Sequence, residues 1–146
     1  MASTSALQTL VDLAQRESDN RAKRLGVALK AVEEAEQKLQ MLLGYRQDYA
    51  DRLDQAQMNG ITPFAYANFV AFLGKLDNAI NGQREVIKHA EYKADTERKA
   101  LQESERKRLS YRTLNERAAA QALAIEARRD QKMMDDFAAR TARTKR

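Results

Sequence analysis

The stretch Asn59-Gly60-Ile61-Thr62-Pro63 carries the densest turn signal in this chain of 146 residues. Asn59 and Gly60 tolerate the left-handed conformation that ends a helix. Thr62 is a favourable N-cap, and Pro63 suits the first helical position, where no backbone N–H is needed. The sequence therefore predicts two helices: helix 1 over about 5–58, the turn over 59–62 and helix 2 over about 63–140.

Composition supports the same fold class. The chain is 43% hydrophobic, 32% charged and only 6% aromatic, with five Gly, one Pro and no Cys. Sandwiches and barrels need far more turn residues, so we expect one all-α domain over 1–146. The absence of Cys excludes disulfides and thiolate metal sites. No apolar run reaches the ~20 residues that span a bilayer, and the start lacks a leader pattern, so we expect a soluble, unprocessed protein.

Helix 1 is predicted to begin at Ser5, because Ser5 with Gln8 three residues later has the form of a capping box. Both helices carry residues at alternating spacings of four and three, the pattern of a coiled-coil seam. The seam of helix 1 is apolar at 12 of 15 positions: Leu7, Val11, Ala14, Ser18, Arg21, Leu25, Ala28, Val32, Ala35, Leu39, Leu42, Arg46, Tyr49, Leu53 and Ala56. The seam of helix 2 is apolar at 10 of 15: Tyr66, Phe69, Leu73, Leu76, Ile80, Gln83, Ile87, Ala90, Ala94, Glu97, Leu101, Ser104, Arg108, Tyr111 and Asn115.

A short turn forces the helices to lie antiparallel. Folding at the turn pairs residues whose numbers sum to 122, so that Leu42 faces Ile80. Helix 1 then ends opposite residue 115 or so, and residues 116–140 of helix 2, here called the overhang, have no partner within the chain. The predicted fold is a long antiparallel two-helix coiled-coil hairpin with a C-terminal helical overhang, whose apolar side chains imply an external partner.

The sequence contains no recognisable catalytic motif. A phosphate loop, a GxGxxG turn, an HExxH pair and a nucleophile elbow are all missing from the sequence. His89 is the only His, and the acidic run at Glu33, Glu34 and Glu36 reads as a solvated face. We therefore expect no enzyme activity, no metal and no cofactor.

Apolar residues near the turn exceed what the seam can bury. Either they form a docking patch or the turn region folds over and hides them. The residues concerned are Met41, Leu43, Tyr45, Phe64, Val70, Phe72 and Ala79.

The net charge of +5 belongs to the C-terminal third. Residues 98–146 carry 14 Lys and Arg against 7 Asp and Glu, whereas residues 1–97 carry 12 against 14. A basic tail suits nucleic acid, a protein partner or simple solubility, and interleaved acids such as Glu126 and Asp130 weaken the first reading.

Four groups of residues stand out along the chain: Ala6-Leu7-Gln8-Thr9-Leu10 with Asp12-Leu13-Ala14, Gln37-Lys38-Leu39-Gln40-Met41-Leu42-Leu43 with Tyr45 and Tyr49, Asn59-Gly60-Ile61, and a tail with Leu114, Glu116, Arg117, Ala122, Leu123, Ala124, Glu126, Arg128, Asp130-Gln131-Lys132, Met134-Asp135 and Phe137-Ala138. Together they resemble the flagellar export protein FliJ family over nearly the whole length. The match over 130–137 lies outside the seam and is hard to obtain from coiled-coil periodicity alone.

The resemblance implies a non-catalytic stalk of the flagellar type III export apparatus, similar to the γ subunit of rotary ATPases. The terminal end would enter the ring of the export ATPase FliI, promote ring assembly and link it to the membrane export gate protein FlhA. FliH and export chaperones are further partners, and nucleic acid is not. The implied protein is an elongated monomer when free, cytoplasmic, and peripherally associated with the membrane at the flagellar base, where it serves motility and chemotaxis.

The family also implies two sets of contact residues. Contacts to the gate protein would correspond to Leu42, Tyr45, Tyr49, Phe72, Leu76 and Ala79, here called the turn patch. Contacts to the ATPase ring would fall within Ala122, Leu123, Ile125, Arg128, Asp130, Gln131, Lys132, Met134 and Phe137. Lys38 and Gln83 depart from the family pattern on the gate-facing surface, where Gln and His are familiar.

The sequence leaves two points open: the double role of three turn-patch residues and an alternative function. Leu42, Tyr49 and Leu76 lie on the predicted seam, so they can dock a partner only if the opposite helix covers them by about half or if the seam rotates near the turn. The alternative function is a generic coiled-coil adaptor or a nucleic-acid-associated protein using the basic tail.

Overall fold

The computed structural model describes residues 2–145, with side chains from residue 5 onward. It contains two α-helices, α1 over Ala2–Asn59 and α2 over Pro63–Thr144, and no strand within the described range. The helices pack against each other, which confirms the predicted all-α helical hairpin.

The predicted start of α1 is wrong. Ser5 lies inside the helix, where its carbonyl accepts a hydrogen bond from the Thr9 hydroxyl at 3.0 Å. Gln8 does not reach back toward Ser5: its side-chain oxygen accepts from the Asn115 amide at 3.0 Å, and its nitrogen donates to Asp12 at 3.0 Å. An i,i+4 side-chain bond of this kind supports a helix that is already formed, and the helix continues to Ala2.

The turn forms as its residues predict. Gly60 has a φ of +89°, the left-handed value that favours glycine after a helix end. The Thr62 hydroxyl accepts a hydrogen bond from the Ala65 N–H at 3.2 Å, and the Thr62 carbonyl accepts one from Tyr66 at 3.0 Å. Thr62 is therefore the N-cap of α2, with Pro63 at the first helical position.

The predicted seam is the buried surface of both helices. All fifteen seam positions of α1 and fourteen of the fifteen on α2 are buried or half-buried. The exception is Tyr66, which is 43% exposed, because it lies in the first turn of α2 with no further layer beyond it. The most buried of the described residues, at 2–9% exposure, are all seam residues: Ala14, Ser18, Ala28, Ala35, Leu76, Ile80, Gln83, Ala94 and Ser104.

Contacts between the helices agree with the predicted register of 122. Three side-chain pairs have residue numbers that sum to 123: Gln8 with Asn115, Ser18 with Glu105, and Arg46 with Asp77. The Tyr49 ring lies 5.0 Å from Phe69 and 4.3 Å from Phe72, centroid to centroid. Each of these pairs is within one helical turn of the expected partner.

The chain groups into two compact units. Unit 2 is Arg21–Leu101, and its seam is mainly apolar, with Ile80 and Ala94 at 5% and 4% exposure. One polar side chain is buried there: the Gln83 amide donates to the Ala35 carbonyl at 2.9 Å, which satisfies its nitrogen.

Unit 1 comprises Met1–Asn20 and Gln102–Arg146, and its seam is more polar. Ser18 and Ser104 are 2% and 5% exposed. The Ser18 hydroxyl donates to Glu105, and Arg108 donates to the same carboxylate at 2.7 and 3.0 Å. Small and hydrogen-bonded side chains thus replace large apolar ones in this part of the seam.

These bonds make the stability of unit 1 depend on pH. Hydrogen bonds from Arg108 and then Ser18 hold the pKa of Glu105 below its ordinary value of 4.5. A lowered pKa in the folded state contributes stability above pH 4.5, and this stability is lost as the pH falls through the folded value. We expect E105Q to show a smaller drop in melting temperature than the wild type between about pH 5 and pH 3. E103Q, at an exposed carboxylate, should behave like the wild type.

Four glycines interrupt the helices without any packing reason. A Cβ added at Gly26, Gly44, Gly74 or Gly82 meets no atom within 4 Å. Gly44 is exposed in the interior of α1, so G44A should stabilise the chain by about 1 kcal/mol through helix propensity and reduced unfolded-state entropy. Urea denaturation followed by circular dichroism measures this, and an unchanged midpoint would contradict it.

Candidate functional site

No described side chain covers residues 119–140 of the overhang. Every residue from 119 to 140 is exposed, including Leu123 at 67%, Met134 at 69% and Phe137 at 73%. The register explains this, because residue 5 of α1 lies opposite residue 117 and residues beyond 119 pass the last described side chains of α1. All nine residues predicted to contact the ATPase ring lie in this exposed segment.

The large apolar side chains of the overhang lie mainly on one face. Leu123, Met134 and Phe137 are separated by 11 and 3 residues, so they share one face of the helix, which also carries Asp130. Arg128 and Lys132, four residues apart, lie on the opposite face together with Asp136. The helix therefore presents an apolar cluster with one carboxylate on one face and mixed charges on the other.

The charge of the exposed segment is balanced. Residues 119–140 carry four basic and four acidic side chains. The basic residues are Arg128, Arg129, Lys132 and Arg140, and the acidic ones are Glu126, Asp130, Asp135 and Asp136. A neutral segment has little long-range attraction for a polyanion, which favours a protein partner over nucleic acid.

The turn patch is brought together on one side of unit 2. Tyr45, Tyr49 and Phe72 line a shallow concavity of about 360 Å³ with Asp48 and Arg52. Tyr49 and Phe72 stack across the two helices in a tilted arrangement, with an interplanar angle of 45°. Because Tyr45 and Phe72 are 54% and 43% exposed, two aromatic rings are available to a partner.

Leu42, Tyr49 and Leu76 are predicted both as seam residues and as docking contacts, and their burial separates the two roles. Leu42 and Tyr49 are half-buried, so each keeps some surface for a partner. Leu76 is only 9% exposed, and Gln83 is 7% exposed. These two residues support the seam and offer a partner almost no surface, whereas Ala79 and Lys38 are exposed.

The surplus apolar residues near the turn are not hidden. Met41, Phe64 and Val70 are 57%, 78% and 46% exposed. The alternative in which the turn region folds over them is therefore wrong. Leu43 alone of the set is half-buried.

An ion pair lies on the other side of the seam from the turn patch. Arg46 donates to Asp77, and this hydrogen bond is the main cause that raises the pKa of Arg46. Both side chains are more than two-fifths exposed, so solvent screening leaves the pair weak. Its position agrees with the register of the two helices.

Sequence reasoning missed Asp48 and Arg52 as neighbours of the turn patch. Tyr45, Asp48, Tyr49 and Arg52 follow the helical spacing of three and four residues, which would have placed them on one face. No cluster of three or more potential metal ligands occurs in residues 2–145, and neither helix in that range contains a segment long and apolar enough to cross a bilayer.

The geometry defines a class of protein: an α-helical hairpin with an uncovered helix end and an exposed aromatic patch. The profile described as "FliJ: Flagellar FliJ protein" matches residues 3–146. Flagellar FliJ proteins of Salmonella typhi and Escherichia coli K12 are 37% and 35% identical over 145 residues, covering 99% of both chains in each case. A solved structure of a protein assigned as a YscO homologue, from Chlamydia trachomatis, is similar in fold.

That structure has a TM-score of 0.73 and covers 94% of this chain and 89% of its own, at 17% identity, so it supports the fold alone. The sequence relatives support more. The chain belongs to the flagellar FliJ protein family. It is therefore a flagellar export component and not an enzyme.

Proposed function

We propose that the chain is the stalk that couples the flagellar export ATPase to the export gate. In this proposal the overhang enters the ring of the ATPase FliI and promotes its assembly, while the turn patch docks on the gate protein FlhA. The observation that carries the proposal is the run of exposed residues from 119 to 140, in a chain whose seam residues are covered apart from Tyr66. Family membership supplies the setting.

The chemistry of the overhang fits insertion into a ring. An isolated helix of this length is marginal in water unless an apolar face is buried. Leu123, Met134 and Phe137 supply that face, and Ala-rich sequence at 118–124 gives high helix propensity before binding. Arg128 and Lys132 on the other face suit acidic groups of the same ring. Energy for export then comes from ATP bound to the ring, and the stalk needs no catalytic residue.

The turn patch suits a second, smaller contact. Rigid aromatic rings are preferred anchors at protein interfaces, and Tyr45 and Phe72 are exposed next to a concavity that also contains Asp48 and Arg52. α2 is one uninterrupted helix from Pro63 to Thr144, so it carries both Phe72 and the overhang. Because α2 takes part in both contacts, a change in the ATPase ring can be transmitted along this helix to the gate protein.

Further partners and the location follow from the family alone. FliH and the export chaperones belong to the proposal, as do the cytoplasmic face of the membrane at the flagellar base and a monomeric free state. Sedimentation equilibrium of the purified chain tests the monomer, and a dimer at micromolar concentration would contradict it.

Deleting residues 118–146 tests the proposal directly. The truncated chain keeps both helices of unit 2, so it should retain binding to the gate protein while losing ATPase-ring binding and swimming motility. Pull-down with the ATPase, pull-down with the cytoplasmic part of the gate protein, and soft-agar motility measure the three effects.

A shorter deletion of residues 141–146 is the matched control. It removes Arg143, Lys145 and Arg146 but leaves the overhang intact. Ring binding should survive in this variant. Loss of ring binding in the short deletion, or survival of ring binding in the long one, would show that residues 118–140 do not form the ring contact.

A further inference from the structure

A second groove runs along unit 2 on the side away from the turn patch. Its floor is formed by the half-buried seam residues Leu39 and Ile87, and its volume is about 660 Å³. Mostly apolar atoms line it. An adjoining groove of about 490 Å³ shares Arg84 and extends past Ile80 to Leu43. Between Glu33 and Arg46 the two grooves follow α1 for ~20 Å, or about four helical turns.

The groove and the turn patch share no lining residue. On α1, Leu43 directly follows the seam position Leu42, whereas Tyr45 directly precedes the seam position Arg46. Positions that follow and precede seam residues in this way flank a coiled-coil seam on opposite sides. Unit 2 therefore has two separate surfaces, and the proposed gate contact uses only one.

The two walls of the first groove carry opposite charges, whereas in the adjoining groove Arg46 on α1 and Asp77 on α2 pair with each other. Glu33 and Glu36 line the wall on α1, and Arg84 and Lys88 line the wall on α2. All four side chains are exposed. Lys88 also contacts Glu85 at 3.3 Å, but both side chains are about two-thirds exposed or more, so this i,i+3 pair is weak and easily exchanged.

The backbone restricts what the groove can accept. Every backbone group along its walls is inside an α-helix, so the walls offer no free N–H or C=O to an extended strand. An occupant must satisfy its own backbone hydrogen bonds while covering Leu39 and Ile87. A third α-helix does both, because a two-helix seam leaves its side chains half covered and a helix lying in the groove completes the bundle.

We propose that this groove binds one amphipathic α-helix of another protein, about four turns long. Its apolar stripe covers Leu39 and Ile87, a basic flank faces Glu33 and Glu36, and an acidic flank faces Arg84 and Lys88. This contact is additional to the ring and gate contacts, and it does not depend on either of them.

A charge-exchange experiment tests the proposal on the full chain. The probe is a fluorescent 18-residue helical peptide with Leu at alternating spacings of three and four, Lys along one flank and Glu along the other. We expect E33K/E36K and R84E/K88E each to weaken binding by about tenfold, because each makes both walls alike in charge. The quadruple variant E33K/E36K/R84E/K88E should restore binding, because the peptide binds in the reverse direction.

The matched control is E34K/D51K, which makes the same change of charge at exposed positions of α1 outside the groove. It should leave affinity within about threefold of the wild type. No binding by the wild type, an equal loss in the control, or no recovery in the quadruple variant would overturn the proposal. A dimer of the free chain that E33K/E36K dissociates would also overturn it, since the occupant would then be a second copy.

Discussion

Replacing Leu123 and Phe137 together by Asp is expected to lower affinity for the ATPase ring by about a hundredfold or more. Buried aromatic and aliphatic anchors at interfaces typically contribute 2 kcal/mol or more each, and 1.4 kcal/mol is a factor of ten. Both side chains are exposed in the free chain, at 67% and 73%, so L123D/F137D should not change its melting temperature. Surface plasmon resonance against the assembled ATPase ring measures the loss.

The overhang itself provides a matched control. Gln121 and Ala139 are exposed on the opposite face of the same helix, 18 residues or five turns apart. Q121D/A139D adds the same charge beside Arg128 and Lys132 but keeps both apolar anchors, so it should lower affinity by less than about tenfold. Equal losses in both double variants would mean that added negative charge, and not the apolar face, determines binding.

Removing the aromatic rings of the turn patch should weaken binding to the gate protein without changing binding to the ATPase ring. Y45A/F72A is expected to weaken binding to the cytoplasmic part of the gate protein by at least tenfold, because two exposed rings are lost from one concavity. The variant also loses the Tyr49–Phe72 stack, worth about 0.5–1.5 kcal/mol, which the fold tolerates. Ring binding should be unchanged, and isothermal titration with each partner measures both.

The control for the turn patch removes exposed apolar side chains of similar size elsewhere. Met58 and Tyr92 are 86% and 75% exposed and lie outside the patch. M58A/Y92A should bind the gate protein normally. If it binds as poorly as Y45A/F72A, the gate recognises general surface hydrophobicity and the turn patch has no special role.

Most of the fold could be predicted because one regular spacing determines it. The alternation of four and three residues located nearly every covered position, and a single turn at Gly60 and Thr62 set the register. The start of α1 could not be predicted, because the Gln8 side-chain oxygen had two possible donors: the Ser5 N–H in a cap and the Asn115 amide across the seam. Local sequence does not decide between them.

The candidate site was less predictable, since exposure depends on how far each helix rotates about the seam. Leu42 and Leu76 are both seam residues with the same chemistry, yet one is half-buried and the other is buried. Spacing alone assigns them the same environment. The charged groove over Leu39 and Ile87 could not be predicted either, because its walls come from separate helices. Each wall alone has the sequence pattern of a solvated helix face.

Amide hydrogen exchange of the full chain, alone and with the ATPase ring, tests the central claim most directly. Residues 119–140 are all exposed, so their amides should exchange fastest of all helical amides in the free chain. Adding the ring should slow exchange across 119–140 and leave 21–101 unchanged. Binding of the ring with unaltered exchange in 119–140 would show that the overhang is not the part of the chain that enters it.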